Sequence, residues 1–482
     1  MLDSHTCYRA LKARDARFDG RFFVAVSSTR IYCRPVCTVK PPKRENCRFY
    51  PSAAAAESAG FRPCLRCRPE LAPGNASVDA TTRVAQAAAS LIEDSVLDED
   101  GLDAVASRLG ITGRHLRRAF GAEFGVSPVE FAQTQCLLLA KRLLSDTALP
   151  VTEIAFASGF GSLRRFNALF KQRYRLQPSQ LRRRMQGSTS PPAAFDALNF
   201  ELSFRPPYDW PAMSAFLGAR AVPGVETVED ARYRRTVRVA VDGKDQLGWI
   251  EVTMSPKKPA LRVAVCASLA KALPPVLSRV KALMDLACNP AEVAQALGPM
   301  AKRHPGLRVP GAFDGFEVAV RAILGQQVTV AAARTVAGRL AAAFGEAIET
   351  PFESLATVFP SAARVAVAPV ARIARLGMPG ARARTVVALA RAVADGRLDL
   401  MPNADVETTL ERLRSLPGVG EWTAQYIAMR ALAWPDAFPH TDLGVMKALG
   451  ETDPGRVLEA GEVWRPWRAY AVMHLWISLT KD

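Results

Sequence analysis

Four cysteines stand in two short pairs, Cys33-Arg34-Pro35-Val36-Cys37 and Cys64-Leu65-Arg66-Cys67, with 26 residues between the pairs. A C-x3-C and a C-x2-C on separate turns can close a tetrahedral thiolate cage around one zinc ion. Such a Zn(Cys)4 centre carries a net charge of about −2, so its thiolates remain nucleophilic. Arg30, Arg34, Lys40, Lys43, Arg44, Arg48, Arg62, Arg66 and Arg68 surround the pairs in sequence. A negative cluster inside a basic rim suits attack on an electrophile held against phosphate, for which a methyl phosphotriester qualifies. Taken by themselves, the residues leave a purely structural zinc open as the alternative.

A second constellation lies near the C-terminus. Leu416-Pro417-Gly418-Val419-Gly420-Glu421-Trp422-Thr423 sits between helical stretches, roughly Asp405–Leu413 and Glu421–Leu432. Gly418 and Gly420 let backbone approach closely, and the amides opening the second helix, up to Thr423, can hold a DNA phosphate without reading sequence. A plain helix–loop–helix is the competing reading. Phe438-Pro439-His440-Thr441-Asp442-Leu443-Gly444 then places one carboxylate in a loop opening a helix.

The elements that must position these residues follow from length, charge and periodicity. The chain has 482 residues, enough for about three domains. Its formal net charge is +17, and residues 1–75 hold 14 Lys and Arg against 6 Asp and Glu. This favours a polyanionic partner, chiefly nucleic acid, or an acidic membrane surface. Met1 to Arg21 lacks an apolar signal core, and no apolar run reaches membrane-spanning length, so a cytoplasmic protein with reduced cysteines and no membrane partner is expected. Cys7, Cys47, Cys136, Cys266 and Cys288 have no paired spacing and read as ordinary thiols.

Compositional breaks give five segments: a cysteine-rich domain at 1–75, a helical domain at 80–184, a linker at 185–196 containing Gly187 to Pro192, a β-rich subdomain at 197–270 and a many-helix domain at 271–482. The fold class is multidomain and mainly α, with smaller α+β parts. The helical segment is internally repeated: Phe120, Phe124, Gly125 and Pro128 recur fifty residues later as Phe170, Tyr174, Arg175 and Pro178. Arg114, Arg117 and Arg118 in one copy, and Arg164 and Arg165 in the other, predict two basic helices on one face, spaced for successive major grooves. Alternation over Arg235–Val241 and Trp249–Val252 predicts half-buried strands.

Phe22 to Val26, Ile31 to Cys37, Arg44-Glu45-Asn46 and Gly60 to Cys67 together resemble the N-terminal domain of the Ada-type adaptive-response regulators. That resemblance implies one zinc held by Cys33, Cys37, Cys64 and Cys67, with Cys33 as methyl acceptor. The duplicated helix–turn–helix resembles the AraC-type module of the same regulators, for which RNA polymerase is a further implied partner. Alkylation would make the centre one unit less negative and raise affinity for DNA.

The hairpin and Asp442, with Arg205 to Trp210, Leu286 to Pro290, Phe316 to Gln326, Leu376 to Pro379 and Trp464 to Trp476, resemble the AlkA-type 3-methyladenine DNA glycosylases of the helix–hairpin–helix superfamily. The implied parts are a zinc-binding α/β N-domain, a double helix–turn–helix bundle, and a glycosylase with an antiparallel sheet and an all-α subdomain. Asp442 is implied as the catalytic carboxylate, and Trp422, Tyr426 and Trp476 as aromatic pocket residues favouring a cationic base by stacking or cation–π contact. Trp422 stands where lyase-active relatives carry lysine, so hydrolysis without a Schiff base is expected, with no glycosylase cofactor. Gln327 occupies the position of the wedge that fills the gap of a flipped base. Arg34, Lys40 and Arg62 are expected DNA contacts of the zinc domain. The Pro-Cys-His-Arg segment of an O6-alkylguanine acceptor and a terminal iron–sulfur pattern are both lacking, and a monomer is expected.

Overall fold

The computed structural model describes residues 3–74, 80–94, 99–147, 149–185, 197–241, 243–402 and 404–480. The expected linker segment Gly187 to Pro192 lies outside these residues. Two compact units are formed, one from residues 1–206, 254–278 and 286–289, the other from 207–253, 279–285 and 290–482.

In the first unit, a four-stranded sheet is built from β1 (Phe23–Val26), β2 (Ile31–Cys33), β3 (Cys47–Tyr50) and β4 (Arg62–Pro63) in the order β3-β1-β2-β4. β1 pairs antiparallel with β2 and with β3, whereas β2 pairs parallel with β4, Ile31 opposite Arg62 and Tyr32 opposite Pro63. That parallel register carries the two cysteine pairs off the sheet side by side, Cys33 ending β2 and Cys64 following β4.

The fifty-residue repeat is realised element by element. Helix Gly113–Phe124 starts at the N-cap Thr112 and ends on Gly125 at φ 71. Its counterpart Leu163–Tyr174 starts at Ser162 and ends on Arg175 at φ 56. Each hydroxyl accepts a backbone N–H three residues on, and each left-handed cap breaks the helix so that Pro128 and Pro178 can open the next one. The repeated pair Phe120 and Phe170 sits in the cores of the two halves, both fully buried. A helix precedes each copy, Glu99–Arg108 before the first and Val151–Ala157 before the second.

Buried charge joins the sheet domain to these helices. Lys141 Nζ meets Glu70 at 2.6 Å with both side chains 2% exposed. Tyr32 donates to Glu57 Oε1 at 2.9 Å, and Arg173 donates to the Glu57 carbonyl. Burial pushes the Glu57 carboxyl up to about 7, against the opposing pull of Tyr32, Arg173 and Lys141. Because this folded value exceeds the ordinary 4.5, protonation stabilises the fold fully below about 4.5, and that contribution is lost as pH rises through about 7. The loss should reach up to roughly 3 kcal/mol. Urea titrations at pH 5 and pH 8, read by hydrogen exchange in helix Ala53–Ser58, should show the wild type weakening at the higher pH. Glu57→Gln should weaken less, and parallel curves for the two proteins would disprove the assignment.

Strand β5 (Ala197–Ser203) pairs antiparallel with a later strand, Ala260–Cys266. In the second unit, β6 (Glu226–Glu229), β7 (Arg232–Val241) and β8 (Lys244–Met254) form an antiparallel meander. The two predicted alternating segments are thus β7 and β8. The β-rich stretch also holds a helix, Trp210–Arg220, capped by Asp209, with Pro211 in its first turn. Arg235 projects from β7 into a fully buried cluster, reaching Glu317 at 2.6 Å and Glu226 at 3.3 Å. Glu226 also binds Arg321 at 2.8 Å, so these buried charges neutralise one another.

Candidate functional site

In the first unit, the Sγ atoms of Cys33, Cys37, Cys64 and Cys67 all lie within 4.8 Å of one another, the one such metal-ligating group among the described residues. Four sulfurs about 2.3 Å from a central zinc fit that spacing, and the all-thiolate donor set suits zinc. Cys33, Cys37 and Cys64 are buried, while Cys67 is partly exposed. The Arg34 N–H donates to Cys67 Sγ at 3.4 Å, the Val39 N–H bears on Cys37 and the Cys67 N–H on Cys64.

In the second unit, the expected hairpin connects helix Val406–Arg414 to helix Glu421–Arg430. Gly418 has φ 83, which favours glycine, and a Cβ there would fall 2.4 Å from Thr385 Oγ1. Thr385 Oγ1 donates to the Pro417 carbonyl at 2.7 Å, and Gln326 Nε2 donates to the Gly418 carbonyl at 2.9 Å. The loop is therefore pinned from two neighbouring elements. Gly420 caps the second helix without any side-chain bond, which leaves the first-turn amides as an anion-facing end.

Asp442 is the N-cap of helix Leu443–Leu449, its Oδ1 accepting the Val445 N–H. Trp422 Nε1 donates to Oδ2 at 2.7 Å, and Trp476 Nε1 donates to Oδ1 at 2.9 Å. Two indoles and a backbone amide therefore fix the carboxylate in one orientation. Trp422 stacks on Tyr426 with ring centroids 5.4 Å apart and planes at 21°. Trp476 stacks on Phe216 at 6.4 Å and 18°. Asp442, Trp422, Tyr426 and Trp476 line a cleft of about 1160 Å³, shared with Gln327, Gly418, Gly420 and Thr423. Gln327 is exposed at φ 55 on the loop before helix Val330–Phe344.

Four family descriptions match successive parts of the chain: the metal binding domain of Ada at 6–70, a helix-turn-helix domain at 105–184, the AlkA N-terminal domain at 199–314, and an HhH-GPD superfamily base excision DNA repair protein at 320–452. The probable bifunctional transcriptional activator/DNA repair enzyme AlkA of Mycobacterium tuberculosis is 40% identical, over 99% of this chain and 97% of that protein. The chain belongs to this bifunctional activator/repair family. DNA-3-methyladenine glycosylase 2 of Escherichia coli is 37% identical over 58% of this chain and 97% of that protein. The bifunctional activator/repair enzyme Ada of Escherichia coli is 37% identical over 26% of this chain and 34% of that protein. The family thus joins transcription regulation to DNA repair, with a zinc-type metal domain, a DNA-binding helix-turn-helix module and a DNA glycosylase in one polypeptide. No helix among the described residues is long and apolar enough to cross a membrane.

The residues expected to contact DNA differ in exposure. Arg114, Arg117, Arg118, Arg164, Arg165 and Lys40 are exposed, and Arg62 is half-buried. Arg34 is different. Its side chain is 8% exposed and bound to Asp19, with a further bond from Nη1 to the Cys67 carbonyl. A guanidinium neutralised beneath the thiolates does not reach a phosphate, so Arg34 supports the cluster instead. Thr423 is likewise buried, its hydroxyl held by Gln326 at 2.8 Å; only its backbone remains for the phosphate role. The cation–π expectation also narrows. Arg430 already sits 5.7 Å from the Tyr426 ring centroid and donates to its hydroxyl at 2.8 Å. Burial pushes the Tyr426 phenol up, but Arg430, Arg220 and Arg321 outweigh it and hold the phenol below its ordinary value. Neither Trp422 nor Trp476 carries such a cation among the described contacts.

Sequence reasoning missed Phe216, Arg220, Arg321 and Gly444. Phe216 and Arg220 lie far from Asp442 in the chain and carry no motif of their own, and Arg321 falls within the Phe316 to Gln326 segment without a signal that singles it out. Gly444 follows Asp442 closely, and its signal is steric. A Cβ there would come 2.9 Å from Asp442 Oδ1 and 3.1 Å from Trp476 Cδ1. Gly444→Ala is expected to displace the carboxylate and lower base release about tenfold or more. Thermal stability should change little, because the helix propensity of alanine offsets part of the weakened Asp442 cap. Wild-type excision rates in this variant would show that the contact does not orient Asp442.

Proposed function

We propose that the second unit hydrolyses the N-glycosidic bond of N-alkylated purines, of the 3-methyladenine and 7-methylguanine type, in double-stranded DNA, with Asp442 as catalytic carboxylate. The observation that carries this reading is a single carboxylate, oriented by two indole N–H donors, in a cleft shared with an uncapped hairpin helix. An alkylated purine is already cationic and leaves with little acid help. What remains to be stabilised is oxocarbenium charge on the deoxyribose, which a fixed carboxylate at C1′ offsets while positioning water. The hairpin amides hold the phosphate, Gln327 fills the vacated stack, and Trp422 with Trp476 favours an electron-poor ring. With tryptophan at position 422, no amine is offered to the sugar, so the reaction is hydrolytic; borohydride should trap no protein–DNA adduct. Release of alkylated base from methylated DNA is the test, and absence of release by the wild type would favour a regulator whose glycosylase-like part only binds DNA.

The first unit is proposed as the sensor. Cys33 attacks the methyl carbon of a DNA methyl phosphotriester: an S–C bond forms, the C–O bond breaks, and its electron pair remains on the phosphate oxygen. Zinc, when bound, keeps the four sulfurs deprotonated at neutral pH. The Arg34 N–H withdraws charge from Cys67, and Cys33 is the acceptor that the resemblance to the Ada-type N-terminal domain implies. Transfer cancels one negative charge, which relieves repulsion toward phosphate and strengthens operator binding through the exposed arginines of helices Gly113–Phe124 and Leu163–Tyr174. Mass spectrometry of the Cys33 peptide after exposure to methylated DNA tests this; a methyl group on another cysteine would refute the assignment.

A further inference from the structure

Three guanidiniums gather behind Tyr426, and two of them are committed to the protein. Arg321 binds Glu226, Glu317 and the Arg220 carbonyl. Arg430 binds the carbonyls of Pro310 and Gly311 and the Tyr426 hydroxyl. Arg220 makes one long bond, 3.4 Å from Nη1 to the Phe216 carbonyl on its own helix, and pairs with no carboxylate among the described residues. Its guanidinium lies 3.8 Å above the Phe216 ring, on the residue that stacks with Trp476, and its side chain lines the same cleft as Asp442. A planar cation with donors left over, at the end of the aromatic stack that leads to the catalytic carboxylate, calls for a ligand acceptor.

On the base-excision reading above, we infer that Arg220 is a specificity-determining residue that donates to an exocyclic oxygen on the extruded base. An oxygen at purine C6, as in 7-methylguanine, accepts from Arg220. An amino group there, as in 3-methyladenine, presents donor to donor and gains nothing. The pocket therefore combines two preferences: Trp422 and Trp476 select an electron-poor ring, and Arg220 ranks those rings by the oxygen they carry. A site built to bond a substrate acceptor discriminates through the unpaired group left by the wrong substrate.

The experiment uses the full-length protein on dimethyl-sulfate-treated duplex DNA, with 7-methylguanine and 3-methyladenine quantified in one reaction so that the two compete. Arg220→Met keeps the stem on Phe216 and removes the donors. It should lower kcat/KM for 7-methylguanine about tenfold, the worth of one hydrogen bond from a charged donor, and leave 3-methyladenine within about twofold. Arg220→Lys, which retains one cationic donor, should recover part of the ratio. An equal loss on both bases would overturn the inference and assign Arg220 to a DNA phosphate. An unchanged ratio in a variant that melts like wild type would overturn it as well. If wild type itself released neither base, the excision reading would fall first, and that outcome differs from either of these.

Discussion

Replacing Asp442 with asparagine is expected to cut base release by at least about a hundredfold while leaving the protein folded. The substitution keeps the shape and the N-cap. An asparagine oxygen still accepts the Val445 N–H that Asp442 now caps, and asparagine caps helices as well as aspartate does. The charge and one acceptor are lost. Trp422 and Trp476 each donate to a different oxygen of Asp442, so an amide NH2 must face one indole N–H, and that tryptophan loses its partner. The negative potential that opposes oxocarbenium charge is removed at the same time. Single-turnover release of 7-methylguanine, measured beside a melting curve, separates the two effects. A variant with wild-type rates would remove Asp442 from the chemistry. A variant that fails to fold would be replaced by Asp442→Ser, which also caps the helix without charge.

Removing the metal is the second large effect. The four cysteines occupy β2, the turn after it, and the loop after β4, and their sulfurs converge within 4.8 Å. The sheet they staple has strands of only two to four residues, too short to be independently stable. Without the ion, four thiols, three of them buried, meet with no cation to offset deprotonation and no bond to hold the loops. Structural zinc sites supply folding energy outright, on the order of 10 kcal/mol in small domains. Chelation is therefore expected to unfold much of residues 3–74 and abolish methyl uptake, and zinc should restore both. Base release by the second unit should persist, because none of its cleft residues belongs to the metal-binding unit. Hydrogen exchange over β1 to β4, followed against bound zinc, is the measurement. Full protection after stoichiometric metal loss would contradict it.

Much of the site was legible because its residues declare themselves by local spacing. Cys33 and Cys37, or Cys64 and Cys67, lie within one turn of each other. The hairpin glycines and Asp442 fall inside a thirty-residue window. The helix–turn–helix pair announced itself through a repeat whose caps and buried aromatics are local features. These depend on short-range geometry, which the chain encodes directly: an αL position, an N-cap hydroxyl, a proline that opens a helix.

Residues met only through tertiary packing were not legible. The sequence puts Arg34 in a basic rim, but the fold buries it against Asp19; burial depends on what else occupies the space, not on the residue's type. From a helix more than two hundred residues before Asp442, Arg220 reaches the cleft and Phe216 stacks on Trp476. Arg220 is singled out by what Arg321 and Arg430 already bind, which no periodicity reveals. The sequence alone determined which chemistries are present, thiolate cluster and lone carboxylate, since these rest on residue type and short spacing. Which charges stay free to meet a ligand was decided only by the tertiary structure, because hydrogen-bond partners are allotted among residues that distant parts of the chain bring together.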